Sequence, residues 1–142
     1  MKLRLLLLLL SVLSLHSNAQ KKQGKITSAD LAGTRWSVLE IWRIGHDKEP
    51  EQVEKEDFGE WNAFVELSFG DDNTFEGTRL NGKGFSGTWS VTKKELHYEF
   101  EEGDYGDTYV DAEIKKPAPD KIILTADFCN DGCSYEITYQ KK

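Results

Sequence analysis

Side chains able to do chemistry are few in this chain, and their spacing limits what they can do. Cys129 and Cys133 bracket Asn130-Asp131-Gly132, a spacing that fits a hairpin loop closed by a disulfide. Closing so short a loop would pin the register of two strands rather than carry the fold. Free thiols, a redox pair and a metal site are the alternatives. A redox pair favours a two-residue gap at a helix N-terminus, and a structural zinc site needs about four ligands. His46 and His97 are the only histidines after residue 19 and lie far apart in the sequence. Neither has a serine or cysteine nucleophile in its local context, so no catalytic residue, metal or cofactor is assigned and an enzyme is not expected. Carboxylates abound in Glu99, Glu101, Glu102, Asp104, Asp107, Asp111 and Glu113, but at strand spacing such a run lines a polar outer face. A calcium site around Asp104, Asp107 and Asp111, or around Asp71 and Asp72, would lack the loop spacing of a known calcium motif.

Strands must position these groups. Thr27 or Ser28 can cap a single helical turn over residues 29–32, which Gly33 ends in the left-handed region. Beyond it, apolar residues recur with a period of two. The alternation predicts eight strands over residues 35–44, 63–69, 74–80, 84–92, 95–101, 107–115, 121–127 and 133–140, with the Pro117-Ala118-Pro119 run as a stop. Nearly every connection is short, and Asn81-Gly82 is a strong hairpin signal. Eight sequential strands with one apolar face imply an all-β, antiparallel up-and-down barrel, with a two-sheet β-sandwich as the alternative.

Several stretches carry a family likeness. Leu31-Ala32-Gly33-Thr34-Arg35-Trp36 resembles the lipocalin N-terminal signature, in which a helical turn, a glycine and a tryptophan lead into the first strand. Asp72-Asn73-Thr74-Phe75-Glu76-Gly77 and Gly87-Thr88-Trp89-Ser90-Val91 are similar to small bacterial lipocalin-like proteins of the calycin type. The resemblance implies one lipocalin-like barrel over residues 28–142, after a flexible tail at 20–27. It also implies a small apolar or amphiphilic ligand inside the barrel. Two residues rather than one separate Gly33 from Trp36, and the chain stops straight after the last strand, which suits a minimal version of the family.

The inward faces supply the candidate ligand-binding residues. If Trp36 points inward, strand parity turns Glu40 and Trp42 inward as well, unless a bulge intervenes. Phe75 and Arg79 share a face, Trp89 faces in with Phe85, Tyr98 with Leu96 and Phe100, and Tyr135 with Ile137. Glu40 and Arg79 would then be interior charges that either pair with each other, reach the rim, or in the case of Arg79 hold an acidic headgroup. The acidic connection over residues 45–62 is long enough to act as a lid, with Phe58 and Trp61 as its aromatic anchors. Gly77 and Gly87 leave interior space, although an eight-stranded barrel is narrow enough for its own side chains to fill. A packed, non-catalytic barrel with an acidic interaction surface is the competing expectation.

Composition narrows the partners. The 142 residues are 38% hydrophobic and 30% charged, with a formal net charge of −7. Residues 1–19 show the layout of a secretory signal peptide: Lys2 and Arg4, a leucine-rich run, then Ser17-Asn18-Ala19. The run is short of the roughly 20 residues that span a bilayer, so cleavage before Gln20 and an exported, periplasmic or secreted product are expected. Without Lys2 and Arg4, 16 basic residues face 25 acidic ones, a net charge of −9. Nucleic acid and anionic membrane surfaces are therefore unsuitable partners for the molecule as a whole.

Overall fold

The computed structural model describes residues 25–58, 63–102, 107–127 and 133–142, and for Asp107 the backbone alone. It opens with a one-turn helix α1 (Ser28–Leu31), followed by β1 (Thr34–Ile44) and a two-residue strand β2 (Glu51–Gln52). Then come β3 (Glu66–Phe69), β4 (Thr74–Thr78), β5 (Gly84–Thr92), β6 (Glu95–Glu101), β7 (Asp107–Ala118), β8 (Lys121–Ala126) and β9 (Ser134–Lys141). Each strand from β3 to β9 pairs antiparallel with the next, β1 pairs with β3, and β9 returns to β1 from Trp36↔Lys141 to Ile44↔Ser134. The sheet closes on eight strands, and β2 is added to the upper part of β1 through Trp42↔Gln52 and Arg43↔Glu51. Closure leaves the eight barrel strands without open edges. The sandwich alternative is excluded by the β1–β9 pairing.

Local chemistry explains the ends of the elements. The Asp30 carboxylate accepts hydrogen bonds from the backbone N–H and the hydroxyl of Thr27, both at 2.9 Å, a capping arrangement that fixes the start of α1. Gly33 then turns the chain with φ +69°. The Trp36 indole donates to the Thr34 hydroxyl at 2.7 Å, and that hydroxyl donates to the Leu31 carbonyl. These bonds fasten α1 under one end of the barrel, where Leu31 and Ile26 are buried. Ile26 thus belongs to the core rather than to a flexible tail.

Two bulges correct the expected strand parity. The first falls between Val38 and Glu40. Trp36 and Val38 face inward before it, and Ile41 and Arg43 share the inward faces of Ile137 and Tyr135 after it. Glu40 and Trp42 are thereby turned to the outer side, and Leu39 is exposed. The second lies between Lys115 and Ala118. Pro117 has no N–H for the ladder, and the bulge carries it past the gap, so β7 continues to Ala118 where a stop was expected.

Strand polarity defines two ends. At the closed end sit α1 and the β3–β4, β5–β6 and β7–β8 turns. At the open end sit residues 45–58 and 63–65, the β4–β5 connection, the end of β6, the start of β7, the end of β8 and the start of β9.

Candidate functional site

The barrel interior is asymmetric. Large rings come from the side of β4 to β6, and smaller groups from β7 and β8. Phe75 stacks on Tyr98 at 4.7 Å between ring centres. Phe64 contacts Phe75, Phe85, Tyr98 and Phe100 at 5.2–6.0 Å, making it the hub of the aromatic cluster. Opposite, Thr108, Val110, Ala112 and Ala126 face inward, as their pairing with Phe100, Tyr98, Leu96 and Tyr135 requires. Phe64, Phe75, Leu124 and Ile137 are 0% exposed, which leaves no water-sized gap against them. At the open end Val110 and Tyr135 are 6% exposed, and Phe85 and Ala126 8%.

Phe64 escaped the sequence reading because strand alternation assigned Ala63, Val65, Leu67 and Phe69 to the inner face and Phe64 to the outer. The regular strand begins only at Glu66. Before it the backbone is irregular, Ala63, Phe64 and Val65 are all buried, and the Tyr139 hydroxyl donates to the Phe64 carbonyl at 2.7 Å. The Phe64 ring lies over Gly77 and takes up the space expected there for a ligand. Gly87 offers no space either, because a Cβ on it would meet the backbone carbonyl of Glu99. Its glycine is demanded by the close approach of β5 and β6.

Among the described residues, the open rim carries the Arg79–Glu102 pair. Arg79 donates to both carboxylate oxygens of Glu102, at 2.7 and 3.1 Å, and its guanidinium lies 4.2 Å from the centre of the Phe85 ring. Glu102 was grouped by its spacing with the solvated carboxylates, yet it is buried. Glu40 is not the partner of Arg79, because the β1 bulge turns it away. The hydrogen bonds from Arg79, reinforced by its charge, hold the Glu102 carboxyl below the usual range. Burial pushes the phenols of Tyr98 and Tyr139 well above theirs.

The other expected site residues are distributed as follows. Phe58 is buried at the open end, edge-on to Tyr135 at 5.3 Å, after a single turn of 3-10 helix over Lys55–Asp57. Trp89 lies towards the closed end against Phe69, and its indole donates to the Gly70 carbonyl at 3.2 Å. Trp42 is on the outer face opposite Gln52 and Glu136. Trp61 and Cys129 lie outside the described residues. Cys133 is buried beside Arg43, whose Nε is 3.5 Å from its sulfur. The structure therefore groups Arg79, Phe58 and Tyr135 at the open end, sets Phe75 and Tyr98 in the sealed middle, and leaves Trp42 and Trp89 apart.

His97 is on the outer wall as expected, 2.6 Å from Asp111 and 3.8 Å from Glu99. Among the described residues, no group of three or more His, Cys, Asp or Glu side chains is placed to hold a metal ion.

An eight-stranded meander closed by its first and last strands, with a helical turn beneath one end, matches the expected architecture. The fold is a closed, eight-stranded antiparallel up-and-down β-barrel. Among solved structures, a lipocalin-like protein from Bacteroides uniformis is similar at 16% identity over 80% of this chain and 99% of its own, with a TM-score of 0.47. A redesigned β-barrel matches at 15% identity over 84% of this chain and 99% of its own, with a TM-score of 0.43. A de novo designed fluorescence-activating β-barrel matches at 14% identity over 82% and 99%, with the same TM-score. No protein-family model and no curated protein matches the chain.

Proposed function

We propose that the protein is an exported, non-catalytic binding domain that takes a small apolar or amphiphilic molecule at the open end of its lipocalin-like barrel. The residual exposure of four inner-wall side chains at this end supports this reading. Side chains in the middle are sealed, whereas Phe85, Val110, Ala126 and Tyr135 retain contact with solvent above them. A ligand there would rest on apolar groups, with the Arg79–Glu102 pair at the rim to meet a polar head. Burying apolar ligand surface supplies about 25 cal/mol per Å², before the costs of association. Titration with a fatty acid series, followed by tryptophan fluorescence and calorimetry, tests it. Binding weakened at least tenfold by Ala126→Trp, which fills the open end, supports the site. Absence of binding by every member of the series contradicts it.

Export and the disulfide belong to the same reading. Cleavage before Gln20 would be seen by N-terminal sequencing of the released protein. An oxidising compartment would join Cys129 to Cys133.

The outer face favours a second reading, an interaction module for a basic partner. Tyr109 is 62% exposed and stacks on His97, beside Asp111 and Glu99. A salt-sensitive basic partner whose binding is lost on Tyr109→Ala, with no small-molecule binding, would select this reading over the first.

A further inference from the structure

A cleft of about 440 Å³ lies at the closed end, away from the proposed open-end site. Its apolar floor comes from Ile26 and Ile114, which are 4% and 2% exposed. Five lysines surround it: Lys25 before α1, Lys93 and Lys94 in the β5–β6 turn, and Lys115 and Lys116 late in β7. Among the described residues, Glu113 is the one acid in the lining. This concentration of positive charge stands out in a chain with a net charge of −7.

Two of the lysines are already matched. Lys116 binds Asp30 at 2.8 Å, and Lys115 lies 3.5 Å from Glu113. Among the described residues, Lys25, Lys93 and Lys94 have no carboxylate within ion-pair distance. Lys93 holds a positive φ of 57°, a conformation that lysine adopts less readily than glycine. Beyond the turn, a neighbouring groove that Lys93 and Lys94 also line contains Glu95, Asp111 and Glu113. Three exposed lysines lining a cleft with Ile26 and Ile114 match a ligand that is anionic at one end and apolar at the other.

We propose that this cleft binds an amphiphilic oxyanion, a phosphate or carboxylate carried on an apolar chain. The head is held by Lys25, Lys93 and Lys94, and the start of the chain lies on Ile26 and Ile114. The electrostatic part weakens with salt because these lysines are exposed.

Calorimetric titration with dodecyl phosphate below its micelle concentration provides the test, with inorganic phosphate and neutral dodecyl maltoside as separate arms. Methyl shifts of Ile26 and Ile114 report the location. Dodecyl phosphate is expected to shift both methyl sets and to bind at least tenfold more tightly than either control. The double substitution Lys93→Gln/Lys94→Gln, at exposed turn positions, is expected to weaken it at least tenfold. Equal affinity for inorganic phosphate would overturn the apolar half of the proposal, and equal affinity for the maltoside the anionic half. Unchanged affinity in the lysine variant, or no shift at Ile26 and Ile114, would overturn it entirely.

Discussion

The Phe64 ring occupies the space above Gly77: a Cβ built on residue 77 would come within 2.7 Å of it. The two residues are complementary, one lacking a side chain where the other places a ring. Gly77→Ala should therefore destabilise the fold by about 1–3 kcal/mol through overpacking. Phe64→Ala should cost about 3–5 kcal/mol through the cavity it leaves. Because the sites touch, the costs should not add, and Gly77→Ala should be nearly neutral in the Phe64→Ala background. Urea unfolding of the two single variants and the double variant measures the coupling.

Gly87 behaves differently because its neighbour is backbone. A Cβ there would lie 1.7 Å from the Glu99 carbonyl oxygen, and no side-chain rearrangement relieves that. Gly87→Ala is expected to destabilise more than Gly77→Ala, with no rescue by Phe64→Ala. The same unfolding experiment separates the two cases.

Breaking the rim pair should be costly in both directions. Glu102→Gln removes a doubly hydrogen-bonded charge and should cost about 1.5–3 kcal/mol. Arg79→Ala should cost at least as much, because it leaves the Glu102 carboxylate buried without its cation. Thermal unfolding checks both.

Acid should weaken the fold through two lowered carboxyls. Arg79 lowers Glu102 from its ordinary 4.5, while the hydrogen bond from Lys116, followed by that from the Thr27 N–H, brings Asp30 from 3.8 to about 2. Each binds its proton less readily folded than unfolded. Their stabilisation is thus present above the ordinary values and lost as pH falls through the folded ones. Stability should decline from about pH 4.5 towards 2, and the decline should be shallower in Asp30→Asn and in Glu102→Gln. Urea midpoints across that range provide the readout.

If Cys129 and Cys133 are joined, Cys133→Ser should cost about 2 kcal/mol, the loop entropy expected for so short a closure. Intact mass with and without reduction detects the bond directly, and denaturant unfolding gives the cost.

Much of the fold was legible because inward residues alternate on most strands. Leu96, Tyr98 and Phe100 on β6, and Tyr135, Ile137 and Tyr139 on β9, show the period without interruption. The failures occurred where the period breaks. The bulge after Val38 turned Trp42 and Glu40 outward, and nothing in the composition of β1 marks it. Phe64 lies just ahead of a regular strand, so extrapolated alternation gave it the wrong face. Glu102 looks like its solvated neighbours, and only the three-dimensional approach of the β4–β5 and β6–β7 ends reveals its partner, Arg79. Space at Gly77 was correctly inferred from its missing side chain, but the identity of what fills it depends on a contact between residues 13 positions apart.

The most direct test of the account is residue-resolved NMR of the protein titrated with a fatty acid. Binding at the open end predicts saturable shifts at Val110, Ala126 and Tyr135, with Leu124 and Ile137 below them essentially unmoved. Absence of shifts at Val110, Ala126 and Tyr135 with every chain length tried would contradict it.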